Sequence, residues 1–320
     1  MHKIAILVKT YAGDLPYVER LMPSLRQHNA DRIPVYLVAP SRDLEHFRKF
    51  VCDGVELLSD ESVSRCLARE PVAGIRPGYI NQEIVKLAFW ETGLCENYFC
   101  VDSDGEFIRD FYVADLMYDD DTPYTILAED NELVVEPQYY AEYWAGREKC
   151  VRLIQKEVGL EDRRMLTCHA FAIFSAKVLR AFHEKFLVPR NLTYLDILAK
   201  SPYEFSWYNM WLQKDKTIPI QFREPLFKFF HHKNQHIEYL LRNVTLADLA
   251  RGYIGVNINS NFSRGVGMID FAAADNRLKL LAKYFTVREL LFLFAYGLTE
   301  KIPRYANLFQ LWLRGRYPPA

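Results

Sequence analysis

The sequence is poor in the features that mark several common classes of protein. Its six cysteines include no C-x-x-C pair, which argues against a zinc site built from cysteines. The formal net charge is −1 and basic residues are scattered along most of the chain, so a nucleic-acid partner is not expected. No apolar run approaches the roughly 18 residues needed to cross a membrane. No signal peptide precedes the first apolar run, residues 4–8, so we expect a cytoplasmic protein.

The first half of the sequence alternates between short apolar runs and amphipathic segments. Continuous apolar runs predict buried strands, and apolar residues at helical spacing predict helices. The predicted strands cover residues 4–8, 33–39, 55–58 and 96–101, and the predicted helices cover 15–27, 41–50 (with Ser41 as its N-cap) and 79–91. Because strands that alternate with helices in this way form βαβ units, we predict an α/β fold with a mixed, mostly parallel sheet.

The second half differs in composition. A long helix is predicted over 139–158, closed by Gly159, followed by a strand over 166–174 and a helix over 175–186. Aromatic residues then cluster at 203–208, 227–232 and 252–262, and we interpret these patches mainly as core. Neither an internal repeat nor a low-complexity linker separates the halves, so we expect them to pack as one unit.

Asp102-Ser103-Asp104 directly follows the apolar strand predicted at 96–101. In open α/β sheets, ligands collect at the carboxyl ends of the strands. Two carboxylates separated by one residue can face one ion, and hard cations such as Mn²⁺ or Mg²⁺ prefer oxygen ligands, including those of phosphates. The triplet therefore predicts a cation site that binds a diphosphate. Taken alone, it fits a solvated acidic turn equally well.

Several segments together resemble a known family. Residues 8–11, 82–88 and 98–109 look like those of largely uncharacterised bacterial glycosyltransferase-like proteins of surface polysaccharide synthesis, which are taken to have a GT-A fold. The resemblance continues more loosely through 168–174, 203–205 and 259–263. Gly105 departs from the pattern, since an apolar residue is more common there, and His169 stands where a small residue is expected.

The resemblance implies a fold, a reaction and a site. The fold would be GT-A-like, with a nucleotide-sugar-binding half at 1–135, an acceptor-binding half at 136–270 and a helical segment at 271–320. The enzyme would move a sugar from a nucleotide-sugar donor to a glycan or lipid-linked acceptor, using Mn²⁺ or Mg²⁺. The donor would be bound by Lys9, Thr10, Tyr11, Gln82, Lys86, Asp102 and Ser103, and the metal by Asp102, Asp104 and a C-terminal histidine, either His232 or its neighbour His231.

Two other functions fit the same triplet. An apolar strand followed by Asp-Ser-Asp-Gly also resembles the motif of haloacid-dehalogenase-type phosphohydrolases, in which Asp102 would be the nucleophile and Asp104 the acid/base. That motif usually follows the first strand of its domain, whereas here several βα units precede it. A non-catalytic protein that binds sugar nucleotides or glycans is the third possibility, because intact ligands do not prove turnover.

Glu204 is the candidate general base. An inverting transfer needs a group that accepts the proton of the acceptor hydroxyl, and aromatic neighbours can raise the pKa of a carboxyl. Glu204 lies within such a patch, and the resembling family has an acidic residue there. The alternative is structural: Ser201 and Glu204 have the spacing of a capping box at a helix start.

The C-terminal residues 301–316 mix arginine with aromatic and aliphatic residues. Their spacing fits an amphipathic helix that contacts anionic lipid, which would make the enzyme peripheral to the inner face of the membrane. A helix packed on the core fits the same pattern.

Overall fold

The computed structural model describes residues 1–127, 136–161, 171–242 and 244–263, together with 286–288, 291 and 295. His169, most of the predicted strand 166–174 and the predicted tail helix 301–316 lie outside the described residues.

The main sheet contains β1 to β4 and β7 in the order β3-β2-β1-β4-β7. β1 pairs in parallel with β2 and β4, β2 pairs in parallel with β3, and β7 joins the edge of β4 in antiparallel orientation. The predicted α/β class and mostly parallel sheet are thus confirmed. The strands are β1 (His2–Lys9), β2 (Val35–Ala39), β3 (Val55–Ser59), β4 (Cys95–Asp102) and β7 (Ile173–Ser175).

The connecting helices of the first half form where an apolar stripe recurs at helical spacing. In α1, Val18, Leu21 and Leu25 are buried, and in α4 Ile80, Ile84 and Leu87 are buried. Both helices begin next to a proline, whose fixed φ suits the first helical turn. The helices of this half are α1 (Leu15–His28), α2 (Leu44–Phe47), α3 (Asp60–Val63), α4 (Pro77–Ala88) and α5 (Val113–Leu116).

The second half adds helices and two small sheets. One sheet has the order β5-β10-β9, with β10 antiparallel to β5 and parallel to β9, and the other pairs β6 with β8. The strands are β5 (Gly105–Phe107), β6 (Tyr124–Thr125), β8 (Gln221–Phe222), β9 (Phe227–Phe230) and β10 (Gly255–Ile258). The helices are α6 (Pro137–Val158), α7 (Ala176–Phe182), α8 (Tyr194–Lys200), α9 (Glu204–Asp215), α10 (Lys233–Leu241), α11 (Leu246–Leu249) and α12 (Ser260–Ser263).

One hydrophobic core joins the two halves. The ring of Phe227 packs 6.1 Å from that of Phe99 on β4, and Phe174 on β7 packs 5.7 Å from Tyr98. Trp207 and Tyr208 of α9 are also buried in this core. The aromatic patches are therefore mainly core, as predicted.

One predicted helix start is wrong, and the capping box weighed as an alternative is not found. Residues 41–50 form two 3-10 turns around the short α2, and the Ser41 hydroxyl donates a hydrogen bond to Glu61 at 2.6 Å instead of capping a helix. The capping box at Ser201 and Glu204 is also absent. Helix α9 begins at Glu204 with Tyr203 as its N-cap, and the Ser201 hydroxyl donates to the carbonyl of Cys150.

Gly255 on β10 faces the ring of Phe227 so closely that an added Cβ would collide with it. We expect Gly255→Ala to lower the free energy of unfolding by about 1–3 kcal/mol, the usual cost of overpacking a core. Chemical denaturation measures this change. Gly252→Ala is the matched control, because nothing lies within 4 Å of a Cβ at that position. Equal stability of the two variants would contradict the packing described for β10.

Candidate active site

The order of the main sheet reverses between β1 and β4. β2 and β3 extend from one side of β1, whereas β4 and β7 extend from the other. At such a reversal the connections diverge, and they leave a crevice outside the carboxyl ends of the strands. Lys9 and Asp102 are paired in register at these ends. The predicted residues 9–11 and 102–104 therefore meet at one edge of the sheet, although they lie far apart in sequence.

Asp102 ends β4 and directs one oxygen toward α4. Its Oδ1 accepts from Lys86 Nζ at 2.8 Å and from Gln82 Nε2 at 3.3 Å. The side chain is 25% exposed. Its second oxygen, Oδ2, has no protein partner among the described residues. One oxygen of Asp102 is therefore fixed by the protein, and the other is available to a ligand.

Asp104 is held by β10 and by the first residue of α12. Its Oδ1 accepts from Asn257 Nδ2 at 2.5 Å, and its Oδ2 accepts from the backbone N–H of Ser260 at 2.8 Å. Burial and the neighbouring Asp102 raise the pKa of Asp104 to about 6, although these two hydrogen bonds oppose the rise. The triplet is thus not a solvated acidic turn, because its second carboxylate is anchored to a distant part of the chain.

A third carboxylate stands beside the triplet. Ser103 is buried, and its hydroxyl donates to Asp14 Oδ2 at 2.6 Å. Burial raises the pKa of Asp14, and the charge of Asp102 raises it further, whereas the Ser103 hydrogen bond opposes this. Ser103 therefore positions Asp14 near the two aspartates of the triplet.

The three residues at the carboxyl end of β1 differ in exposure. Lys9 is buried, with Nζ 3.2 Å from Asp60 Oδ1 and 2.6 Å from the carbonyl of Thr10. Burial raises the pKa of Asp60 to about 6 despite this pair. Thr10 is buried, whereas Tyr11 is half exposed and its ring covers Gly13. Of the three predicted to line a nucleotide pocket, Tyr11 is the one with exposed surface.

Lys86 lies behind Asp102 and does not face open space. Its side chain is 2% exposed, and its ammonium lies 2.8 Å from both Asp102 Oδ1 and Glu204 Oε1 and 3.9 Å from Glu83 Oε2. It also lies 4.8 Å from the centre of the Phe205 ring. Burial opposes its charge, but the surrounding carboxylates outweigh burial and raise the pKa of Lys86 well above its usual value. Lys86 is therefore a buried cation.

The pKa values of the two glutamates around Lys86 are shifted in opposite directions. Burial raises the pKa of Glu83 well above its usual value, and the charge of Glu204 raises it further. Burial also opposes the charge of Glu204, but Lys86 and a hydrogen bond from Glu83 outweigh it and lower the pKa of Glu204. The expected rise in the pKa of Glu204 is thus found at Glu83. The role of Glu204 as a general base stays a prediction.

His232 lies apart from the triplet. Its ring stacks on Tyr139 with centroids 5.6 Å apart, and its Nδ1 is 3.7 Å from Glu142. His231 packs against Phe229 and Tyr143 instead, and burial lowers its pKa to about 3. In the described part of the chain, neither histidine joins Asp102 and Asp104 in a group that could hold one ion.

The acidic residues nevertheless fit a hard divalent cation. Within the described ranges, no three His, Cys, Asp or Glu side chains form a metal cage. Mg²⁺ and similar ions often use only one or two carboxylates and complete their shell with water and substrate phosphates. The unpaired Oδ2 of Asp102 and the second lone pairs of the Asp104 oxygens are suitable donors.

Sequence reasoning missed Asp14, Glu83, Asn257 and Ser260. The position of Asp14 could have indicated a role in the site, since it closes the polar turn after β1 at the same sheet edge as the triplet. The position of Glu83 could also have done so, because it lies one helical turn from Lys86 on a buried face of α4. Nothing beyond the looser resemblance indicated Asn257 and Ser260, because their contacts join residues more than 150 positions apart.

Comparison with known proteins gives one family and two distant structures. The sequence profile of DUF6492, a family of unknown function, matches residues 3–248. Among curated proteins, none is similar enough in sequence to be matched. The apo structure of the bifunctional glycosyltransferase WbbM is similar over 89% of this chain and 52% of its own, with a TM-score of 0.49 and 12% identity. The apo structure of mouse xyloside xylosyltransferase 1 is similar over 81% of this chain and 98% of its own, with a TM-score of 0.45 and 8% identity. This chain thus spans about half the length of WbbM.

Proposed function

Because this chain belongs to DUF6492, a family of unknown function, we propose its activity from its own site. We propose that it is a GT-A-type glycosyltransferase that uses Mn²⁺ or Mg²⁺. It would move a sugar from a nucleotide-sugar donor to a glycan or lipid-linked acceptor. One observation carries the proposal. Asp102 and Asp104 leave the carboxyl end of β4 at the reversal of the sheet order, and an oxygen of Asp102 there has no protein partner. That position is where α/β sheets bind nucleotides.

The balance of charge at this edge supports a cation. Among the described residues, the carboxyl groups of this edge share it with three cations, the ammonium groups of Lys9 and Lys86 and the guanidinium of Arg20 near Asp104. The carboxyl groups are those of Asp14, Asp60, Glu83, Asp102, Asp104 and Glu204. Burial raises the pKa of Glu83 and so favours its neutral form, but the other carboxyl groups still outnumber these cations. Grouped carboxylates are unfavourable unless a cation or a proton offsets them. A donor diphosphate would add more negative charge, so its binding here requires such a cation.

The residues around the cation would have different roles in binding. Asp102 and Asp104 would hold it, and when bound it would stabilise the negative charge of the departing nucleoside diphosphate. Asn257 and the backbone of Ser260 keep Asp104 in place. Tyr11 offers an exposed ring at the end of β1, where it can contact the nucleoside.

The nature of the acceptor rests on the sequence resemblance alone. A glycan or a lipid-linked sugar fits the resembling proteins of bacterial surface polysaccharide synthesis, and a lipid-linked acceptor would favour contact between residues 301–316 and the membrane surface. Within the described residues, no helix has the length and apolar character required to span a bilayer.

Thermal denaturation with nucleotides tests the proposal directly. We expect a nucleoside diphosphate or nucleotide sugar to raise the melting temperature only when Mn²⁺ or Mg²⁺ is present. A ligand at 100 times its dissociation constant stabilises the folded state by about 2.7 kcal/mol, which such a measurement resolves. A panel of nucleoside diphosphates and their sugars, each with and without the metal, would identify the donor.

The outcomes separate the candidate functions. Stabilisation followed by sugar release to an acceptor supports the transferase, and stabilisation without turnover indicates a binding protein. Metal-independent stabilisation by the same nucleotides would refute the cation site. No stabilisation by any nucleotide would refute the proposed function.

A further inference from the structure

A single buried ammonium connects the two halves of the protein at the proposed donor site. Lys86 on α4 contacts Asp102 at the end of β4 and Glu204 at the first residue of α9, each at 2.8 Å. Both Lys86 and Glu204 are buried, so their contact lies in the interior of the protein. The contacts therefore lead from Glu204 in the interior through Lys86 to Asp102, whose side chain is partly exposed at the crevice.

We propose that Glu204 is a positioning residue that acts through Lys86 on Asp102, an inference that rests on the proposed function. Glu204 fixes the ammonium of Lys86, and Lys86 fixes Oδ1 of Asp102, so that Oδ2 points to the cation and the donor phosphates.

The contacts of Asp102 support this role. Lys86 and Gln82 both lie on α4, four residues apart, and both donate to Oδ1. A carboxylate that receives both donors on one oxygen has its rotation restricted, and its other oxygen keeps one direction. Partners of this kind orient a metal ligand, and their removal typically weakens metal binding about 10- to 100-fold.

The contacts of Lys86 explain why Glu204 is needed. Without Glu204, the ammonium could turn toward Glu83, now 3.9 Å away, and release Asp102. The Phe205 ring at 4.8 Å closes another side of the ammonium but cannot accept a strong directional bond. Glu204 therefore supplies the contact that keeps Lys86 between the two halves.

The test compares Glu204→Gln with Glu204→Ala. The amide oxygen of Gln can still accept from Lys86, whereas Ala removes the contact. We expect Mn²⁺ binding in the presence of uridine diphosphate, measured by electron paramagnetic resonance per folded protein, to weaken about tenfold or more in Glu204→Ala and only a few fold in Glu204→Gln. Gln82→Ala, which removes the other donor to Oδ1 from a partly exposed position, is expected to weaken binding severalfold even if Glu204→Ala does not fold.

The possible results have distinct meanings. Glu148→Ala, which removes an exposed ion pair on α6, serves as the control and is expected to bind Mn²⁺ like the parent. If both Glu204 variants and Gln82→Ala bind Mn²⁺ like the parent, the positioning role is overturned while the proposed function stands. If the two Glu204 variants instead lose turnover by the same factor with intact Mn²⁺ binding, Glu204 is the base. If the parent protein binds no Mn²⁺, the proposed function fails, and the positioning role fails with it.

Discussion

Asp104→Ala is expected to abolish sugar transfer while leaving a folded protein. A cation at a departing diphosphate contributes several kcal/mol to catalysis, so its loss lowers the rate by a factor on the order of 10³ or more. The fold should tolerate the change, because burial already disfavours the charged form of this carboxyl, whose pKa is raised to about 6. Its native pKa exceeds the unfolded one, so the native state binds more protons between about pH 4 and 6, and the stability it contributes falls as pH rises through that interval. At pH 7.5, removal of the side chain therefore relieves a burial cost while it loses two hydrogen bonds.

Transfer and unfolding must be measured on the same preparation. Asp120→Ala is the matched control, because Asp120 is an exposed aspartate outside the site. We expect the control to transfer sugar at the parent rate and to keep the metal-dependent thermal shift. Undiminished transfer by Asp104→Ala, or by the parent protein in EDTA, would show that no cation held by this residue takes part.

Lys86→Met is expected to cost about 3–5 kcal/mol of unfolding free energy at pH 8, because it leaves buried carboxylates without their cation. Methionine fills a volume similar to that of lysine, so the loss of stability is due mainly to the missing charge and not to a cavity. In the variant, Glu204 stays buried beside Glu83 without Lys86, so burial raises the pKa of Glu204 in the native state above its unfolded value. The native variant then binds more protons than its unfolded state, so the deficit should shrink as the pH falls toward 5.

Urea denaturation of parent and variant at pH 5 and pH 8 measures both effects. Lys185→Met is the matched control, since Lys185 pairs with Asp215 at an exposed position. Exposed pairs contribute about 0–1 kcal/mol, so we expect little change in the control at either pH. A Lys86 variant as stable as the control at pH 8 would show that this cluster is not held by its cation.

The strands and the position of the triplet were predictable because their signals are local. A continuous apolar run is visible in the sequence itself, and Asp102 follows such a run directly. The caps considered at Ser41 and Ser201 were not found, because whether a side chain caps a helix depends on contacts that are not local in the sequence. Ser41 and Ser201 each have a hydroxyl that suits a cap, but tertiary contacts with Glu61 and with the Cys150 carbonyl use those hydroxyls instead. A helix cap can thus be predicted from sequence only where no tertiary partner competes for the hydroxyl.

The protonation of the site could not be read from the sequence. Glu204 and Glu83 are similar side chains in apolar surroundings, and the sequence favoured Glu204 for a raised pKa. The structure reverses the assignment, because Lys86 lies 2.8 Å from Glu204 and 3.9 Å from Glu83. The lowered pKa of Glu204 and the raised pKa of Glu83 thus depend on a difference of about one ångström in their distances to Lys86, which no pattern of residue types contains.

The anchoring of Asp104 by β10 has a consequence for synthesis on the ribosome. Asp104 and Asn257 are separated by 153 residues. At translation rates of roughly 5–20 residues per second, Asp104 waits on the order of ten to thirty seconds for its partner. During that time a growing chain can form β1 to β4 yet cannot fix the second aspartate. We therefore expect affinity for the cation to emerge only after residue 260 has been made, so that unfinished chains do not sequester metal or donor.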